Sequence, residues 1–351
     1  MIELTMGERI KVGLKKVLAL CFYCLFPWRL FLLRHGLRTL FILAYHRILP
    51  DDKQSILPYI SVNPKQFEKH LLFLKTIFRV ISLDEAATLL EKPGDLNENC
   101  VVITFDDGYR DNYDYAFPVL LRQGVTASFF VTTGLIGTDK MLWPDMVRQI
   151  YYGSNDKKNS FLKTRQANHN RPPESVSLKI KEVKRTITGL KKLNEDEKRD
   201  WIQRVAKARG LDLGHSKGFK MMSWANLREM SDRGMIVGSH TVNHPMLRTL
   251  AEKELDTELR QSKAQVENSI GCHVKHFAYP NGTQEDLSPL ILDSVKRAGY
   301  TSAVTTMRGS NCPGTDLFSL RRTGVYRSDG VPELVLKLCF EKIFCRSHDG
   351  R

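Results

Sequence analysis

Residues 101–108 read VVITFDDG, and residues 127–131 read ASFFV. Each is a short apolar run rich in β-branched or aromatic side chains, the composition of a strand covered on both faces. Similar runs recur at 41–45 (FILAY), 79–81 (RVI), 235–238 (MIVG), 275–279 and 301–305. The stretches between them are amphipathic. In residues 64–78, Phe67, Leu71, Leu74, Ile77 and Phe78 recur at helical spacing behind Asn63 and Pro64, a helix start. Residues 83–91 read as a short helix. Ser223 is placed to cap a helix over 223–233 that stops before Gly234. Residues 250–270 and 286–298 give two more helices, closed by Gly271 and Gly299.

Strand alternating with helix prescribes a parallel sheet with crossover helices. About seven such units favour an α/β barrel, closed or nearly closed, over an open sheet. In barrels of this kind the reacting side chains sit at the C-terminal ends of strands. The Asp106-Asp107 pair ends the run at 101–105 in that position. His240 and His244, in the stretch SHTVNHP at 239–245, follow the run at 235–238 in the same way. A carboxylate and two imidazoles are a common three-ligand set for a hydrolytic metal site, with a fourth position left open. Two adjacent carboxylates also repel, and a divalent cation would relieve that. His240 and His244 are four apart, which puts them on one face if the segment is helical. Taken one at a time, each motif has a plainer reading: Asp-Asp-Gly as a polar turn, a lone histidine as a core residue.

The remaining composition bounds the function. The chain has 351 residues and is 42% apolar, enough for a sizeable core. Its net charge of +14 is concentrated. Residues 1–40 carry seven Lys/Arg against two Asp/Glu, residues 151–218 carry seventeen against eight, and the rest balances at 29 against 29. Residues 151–218 also break the strand–helix alternation. They contain Pro172-Pro173 and two weakly amphipathic helical stretches, at 175–193 and 195–209, and read as a basic helical insertion with a solvated face. The expected organisation is a basic, apolar N-terminal segment (1–40), a barrel (41–150 and 219–351) and that insertion. Nucleic-acid binding is not expected, since no recognition motif or aromatic interleaving accompanies the charge.

Within the first segment, residues 17–33 (VLALCFYCLFPWRLFLL) are apolar between basic flanks, but Pro27 and Arg29 interrupt them. The run is marginal for a bilayer span of about 20 residues. A helix lying on a membrane surface is one reading, and a helix packed on the barrel is the other. The expected location is membrane-associated or cytoplasmic. The seven cysteines show no paired framework or zinc pattern, and Cys21-x-x-Cys24 lies inside an apolar stretch.

The motifs carry a resemblance. Thr104–Gly108 matches the T-F-D-D-G signature of polysaccharide deacetylases, the NodB-like carbohydrate esterases, and Ser239–Pro245 matches their S-H-[ST]-x-x-H-P signature. The likeness extends through Tyr109–Tyr113, Ala127–Gly134 and Phe277–Gly282, over roughly 41–150 and 219–325. It implies a distorted (β/α) barrel that hydrolyses N-acetyl groups of a GlcNAc-containing polymer. It also implies Asp107, His240 and His244 as ligands of a divalent metal, most commonly zinc, and Asp106 as general base. The Tyr109 backbone N–H is a candidate donor to the oxyanion, and Tyr109, Tyr279, Pro280 and Trp143 are candidates for the substrate pocket.

Two departures from the family pattern stand out. Many members carry an arginine in the third motif that steadies the catalytic aspartate. Ala278 stands in its place here, and Arg321 or Arg322 is a candidate substitute. The late L-x-x-H motif that supplies the general acid is absent after residue 325. Leu43-Ala44-Tyr45-His46 matches it at the first strand, as in the circularly permuted branch of the family, which makes His46 the candidate acid. An O-deacetylase or other amidase on the same scaffold, and a non-catalytic glycan-binding module, remain as alternatives.

Overall fold

A computed structural model describes residues 6–33, 39–51, 60–92, 96–152, 176–214 and 220–344. Two helices, α1 (Met6–Leu25) and α2 (Trp28–Leu33), precede the first strand, β1 (Leu40–Tyr45). A two-stranded pair, β2 (Arg47–Ile48) and β3 (Ser61–Val62), leads into α3 (Pro64–Lys75), β4 (Arg79–Val80), α4 (Leu83–Glu91) and β5 (Cys100–Phe105). Then follow α5 (Phe117–Gln123), β6 (Ser128–Val131), α6 (Trp143–Tyr152), α7 (Val176–Leu190), α8 (Glu195–Ala208) and α9 (Trp224–Asp232). The chain continues through β7 (Ile236–Ser239), α10 (Glu252–Ile270), β8 (His276–Ala278), α11 (Pro289–Arg297), β9 (Ser302–Val304), β10 (Thr323–Gly324) and α12 (Val331–Phe344). A π-helical turn at Asn112–Ala116 feeds α5.

The helix signals behave as the sequence suggests. Asn63, Ser82, Asn194, Ser223 and Ser288 cap their helices through side-chain oxygens. Gly271 ends α10 in the left-handed conformation, at φ 73°.

The main sheet runs β10-β1-β5-β6-β7-β8-β9, all pairs parallel, with β4 added on β5. This is the distorted (β/α) barrel. Its two edges meet through one segment. Leu320 exchanges hydrogen bonds with the β9 region (N to Ala303 O at 3.0 Å, O from Thr305 N at 2.8 Å), and Thr323 on the same segment pairs with Leu43 of β1.

The strand period of two sorts the core. Leu40, Ile42, Val102, Phe130, Ala278, Val304 and Leu320 form one buried cluster inside the barrel, closed at the bottom by Leu83, Ala86 and Leu90 of α4. The alternate positions, such as Phe41, Leu43, Val101, Ile103, Phe105 and Phe129, pack outward with Phe67, Leu71, Leu120 and Leu259 of the helices. Parity therefore points Asp106, two beyond Thr104, and His46, two beyond Ala44, into the mouth of the barrel. The interior is tight. A Cβ on Gly238 of β7 would lie 2.6 Å from two Phe130 ring atoms and 2.9 Å from His276 O.

The segment between α6 and α9 is built onto the barrel. Leu190 of α7 and Ile202 and Ala206 of α8 form one apolar cluster with Trp143, Val147 and Ile150 of α6. The Pro172-Pro173 stretch lies outside the described residues. At the N-terminus, α1 and α2 break at Phe26-Pro27, and both pack on α12. Among the described residues no helix is long and apolar enough to cross a membrane. The six described cysteines are free thiols.

Candidate active site

A pocket of about 590 Å³ opens at the C-terminal ends of the strands. His46, Asp106, Asp107, Tyr109, His240, His244 and Tyr279 all line it. His46 follows β1, the two aspartates follow β5, and the two histidines follow β7.

Asp106 keeps its inward parity and is 2% exposed. Asp107, one residue on, would face outward in an extended strand. It instead takes φ 79°, which turns its side chain back to the mouth. The backbone of Thr241 (φ 70°) and His244 (φ 57°) is strained in the same way. With Asn281 (φ 63°), these are the four described non-glycine residues at positive φ, and three of them line the pocket. Strain of this kind persists only where the surrounding structure enforces it.

The helical rationale for His240 and His244 does not hold. Residues 240–246 form an irregular turn, not a helix. The Thr241 hydroxyl accepts from the His244 backbone N–H at 2.9 Å, and the two left-handed residues bring the rings to 4.8 Å between centroids. Four-residue spacing converges here because the turn is tight.

His240 Nε2 and His244 Nε2 lie 3.6 and 3.7 Å from Asp107 Oδ1. All three donor atoms fall within 4.8 Å of one another. Ligand atoms bound at about 2.1 Å around a tetrahedral ion are separated by roughly 3.4 Å, so the set fits a divalent cation with little adjustment. The protonation states agree. His240 Nδ1 donates to Ala278 O at 2.7 Å, which leaves the Nε2 lone pair free to ligate. Burial lowers the pKa of both histidines, more strongly for His244, whose neighbour His240 adds to the effect. Burial also pushes Asp107 well above the usual carboxylate range, and the charges of Asp106 and Asp145 push the same way. A cation at this point would stabilise that carboxylate as an anion.

Asp106 is held differently. Burial alone would raise its pKa, but Arg322 outweighs it and keeps the carboxyl well below its usual range. The guanidinium donates in a fork, Nη1 to Oδ1 at 2.8 Å and Nη2 to Oδ2 at 2.7 Å. Its remaining donors reach Thr305 O at 2.6 Å and Thr104 Oγ1 at 3.2 Å. Arg322 is 1% exposed and stands directly before β10. Arg321 points the other way, to Arg308 O at 3.1 Å. One of the two candidate arginines thus meets the aspartate, and strand parity selects it.

Burial lowers His46 to a pKa of about 4, although the negative charge of Asp106 opposes the shift. The tyrosines contribute ring and backbone. The Tyr109 hydroxyl donates to Asp145 Oδ2 at 2.6 Å, and the Tyr279 hydroxyl to Phe318 O at 2.9 Å. Pro280 does not line the pocket. Its carbonyl accepts from Gly282 N at 2.8 Å, and the turn so formed delivers Asn281 to the pocket wall. Trp143 lines the wall and donates through Nε1 to His244 O at 3.2 Å.

Sequence reasoning missed part of this wall. Arg148 of α6, paired with Asp145 at 2.5 Å, lines the pocket, as do Lys184 of α7, Lys191 directly after that helix, and Arg308. Two lysines expected on a solvated face therefore belong to the pocket. A helical phase anchored on Ile187 and Leu190 would have been the signal for which face of α7 turns inward.

A family model described as polysaccharide deacetylase matches residues 94–162 and 178–303, more than half of the chain. The Bacillus subtilis protein YxkH, whose name places it provisionally among polysaccharide deacetylases, is 22% identical over 285 residues, which span 81% of this chain and 70% of that protein. The Streptococcus pyogenes deacetylase PplD, solved in complex with acetate, has a TM-score of 0.55 at 20% identity, covering 86% of this chain and 98% of that one. IcaB from Ammonifex degensii has a TM-score of 0.56 at 20% identity, covering 87% and 97%. At these identities the two structures speak for the fold.

Proposed function

The chain belongs to the polysaccharide deacetylase family, and from that premise we propose that it removes N-acetyl groups from a GlcNAc-containing glycan with the help of a divalent cation, zinc by its ligand set. One observation carries the reading: a metal-fitting Asp107–His240–His244 triad beside a second carboxylate, Asp106, locked by Arg322, at the floor of one pocket. A binding module would have no use for that second, clamped carboxylate.

The cation, when bound, polarises the acetyl carbonyl and acidifies a water toward neutral pH. Asp107, His240 and His244 would hold it, with Ala278 O fixing the His240 tautomer. Asp106 accepts the proton of the attacking water. Arg322 leaves it ionised and aligned, and each of its oxygens keeps a second lone pair for that proton. The pocket walls exclude bulk water from these charges, which strengthens every interaction among them. The leaving amine needs a proton, and His46 at the mouth of β1 is the donor. His46 is neutral at rest, with its pKa near 4, so it takes a proton from solvent in the pocket before passing it to the amine, and Asp106 returns the proton it took from the water to solvent as the site resets. The Tyr109 backbone N–H serves as donor to the oxyanion.

The test is acetate release from a panel of N-acetylated oligosaccharides, with parallel titration of new free amine. Wild type should release both in equal amounts, lose activity with a chelator and regain it with zinc. Asp106→Asn should lose at least about a hundredfold. Activity that survives chelator and Asp106→Asn together would remove the mechanism. On a second panel that carries O-acetyl groups as well, acetate released without new amine would move the reading to O-deacetylation.

A further inference from the structure

The outer face of α1 is apolar and uncovered. Leu14, Leu18 and Leu25 recur at helical spacing with exposures of 57%, 58% and 82%. Val17 (56%) and Leu20 (53%) flank them. The opposite face carries the buried Ala19 and the partly buried Phe22 and Tyr23, which face the barrel. The exposed apolar arc is about 160° wide at 3.6 residues per turn. Leu30 of α2 and Phe340 of α12 are exposed as well. Single exposed leucines are ordinary, but a continuous apolar stripe of this length marks an interaction surface.

We infer that this stripe docks the protein on the surface of an anionic phospholipid bilayer, in the plane of the headgroups. Three observations select that occupant. Residues 6–33 carry five Lys/Arg against one Glu, and the exposed Lys16 lies at the border of the apolar arc, where a lysine reaches headgroup phosphates while its stem stays in the apolar layer. No described helix is fit to span a bilayer, and Pro27 breaks the run, so the segment lies on the surface rather than through it. A second copy of the chain meeting the same stripe would set two segments of like net charge side by side, whereas phosphatidylglycerol headgroups complement that charge.

The position of the stripe connects it to the pocket. Lys15 Nζ reaches Asp329 Oδ1 at 3.2 Å, one residue beyond Ser328, which lines the pocket with Tyr326. At the far end, Leu32 O accepts from Asn99 Nδ2 and Lys342 Nζ, both at 2.6 Å, just before β5 begins. The helix pair therefore runs the height of the barrel wall from the mouth to the base. A bilayer against it lies beside the barrel, with the mouth at one end of the contact. An acetylated glycan held at that membrane would meet the pocket without leaving the surface.

The test is flotation of the full chain with vesicles of phosphatidylcholine alone and of phosphatidylcholine mixed with phosphatidylglycerol. Wild type should float with the mixed vesicles, more weakly with the neutral ones, and less in high salt. The triple variant Leu14→Gln, Leu18→Gln, Leu25→Gln should partition at least about a hundredfold less. These side chains are already in solvent, so its circular dichroism spectrum and thermal midpoint should match wild type. Lys16→Glu should remove most of the preference for phosphatidylglycerol. Wild type that stays unbound with both vesicle types overturns the inference, as does a folded triple variant that floats like wild type. A wild-type dimer by sedimentation that the triple variant converts to monomer, with no flotation by either, would assign the stripe to self-association instead.

Discussion

Arg322→Met removes the charge that holds Asp106 while keeping a long side chain in the barrel. The wild-type guanidinium makes four recorded hydrogen bonds, two to Asp106, one to Thr104 and one to Thr305, with 1% of its surface exposed. Methionine refills part of the volume but leaves the Asp106 carboxylate, 2% exposed, without a counter-ion. Breaking a buried pair from one side costs about 3–5 kcal/mol, most of it the penalty of the stranded charge. Urea unfolding in the presence of chelator, followed by circular dichroism, reads this without interference from bound metal. Asp106→Asn in the Arg322→Met background removes the stranded charge, so the double variant should recover about 2–3 kcal/mol of the loss.

The sign of the pH dependence gives a second check. In wild type the Asp106 carboxyl is depressed below its ordinary 3.8, so its contribution is present above that pH and is lost as pH falls below it. In Arg322→Met burial is the largest remaining influence, opposed only by His240 and His46, and raises the carboxyl, so the deficit should deepen as pH rises through and beyond about 4. An Arg322→Met protein with the wild-type urea midpoint from pH 4 to 8 would refute the reasoning. A double variant no more stable than Arg322→Met would show that lost packing, not charge, sets the cost.

Other perturbations test other parts. His244→Ala should weaken zinc binding, read by calorimetry, by at least about a hundredfold while the fold persists; unchanged affinity would remove the ligand set. His46→Gln should keep zinc affinity and lose about 10²–10⁴-fold in kcat, and unchanged turnover would make His46 a packing residue. His70 is buried between the Tyr45 hydroxyl, Gln66 and Asp329 O, and burial lowers its pKa to about 4. The unfolded chain binds that proton first. Stability should therefore be full above about pH 6.5 and fall by up to about 3 kcal/mol toward pH 4, and His70→Gln should flatten that part of the profile. Gly238→Ala should cost about 1–3 kcal/mol by thermal unfolding, because its Cβ has no room beside Phe130.

Much of the fold is legible residue by residue. The long apolar runs before Asp106 and before His240 are strands because both faces are covered, and a run covered on both faces needs no alternation to be recognised. β10 is not legible in that way. It is two residues long, Thr323–Gly324, and carries no period. Its pairing is set by β1 on one side and by Leu320 against β9 on the other, a closure that exists only when the sheet has curled. The pocket wall from α7 was equally hidden. A basic amphipathic helix gives no sign of which partner its lysines face until α6 supplies the surface it packs on.

By itself the sequence determined the chemistry available: an Asp-Asp pair at one strand end, two histidines at another, and the apolar spacing that makes both ends point the same way. That information is local, carried in side-chain type and in periods of two and 3.6. Tertiary structure alone decided which arginine clamps Asp106, where β10 closes the sheet, and how Asp107 and His244 turn inward through left-handed backbone. The first two rest on contacts between residues more than two hundred positions apart, which leave no periodic trace in the chain, and the third on a tight local turn whose backbone angles no side-chain period encodes.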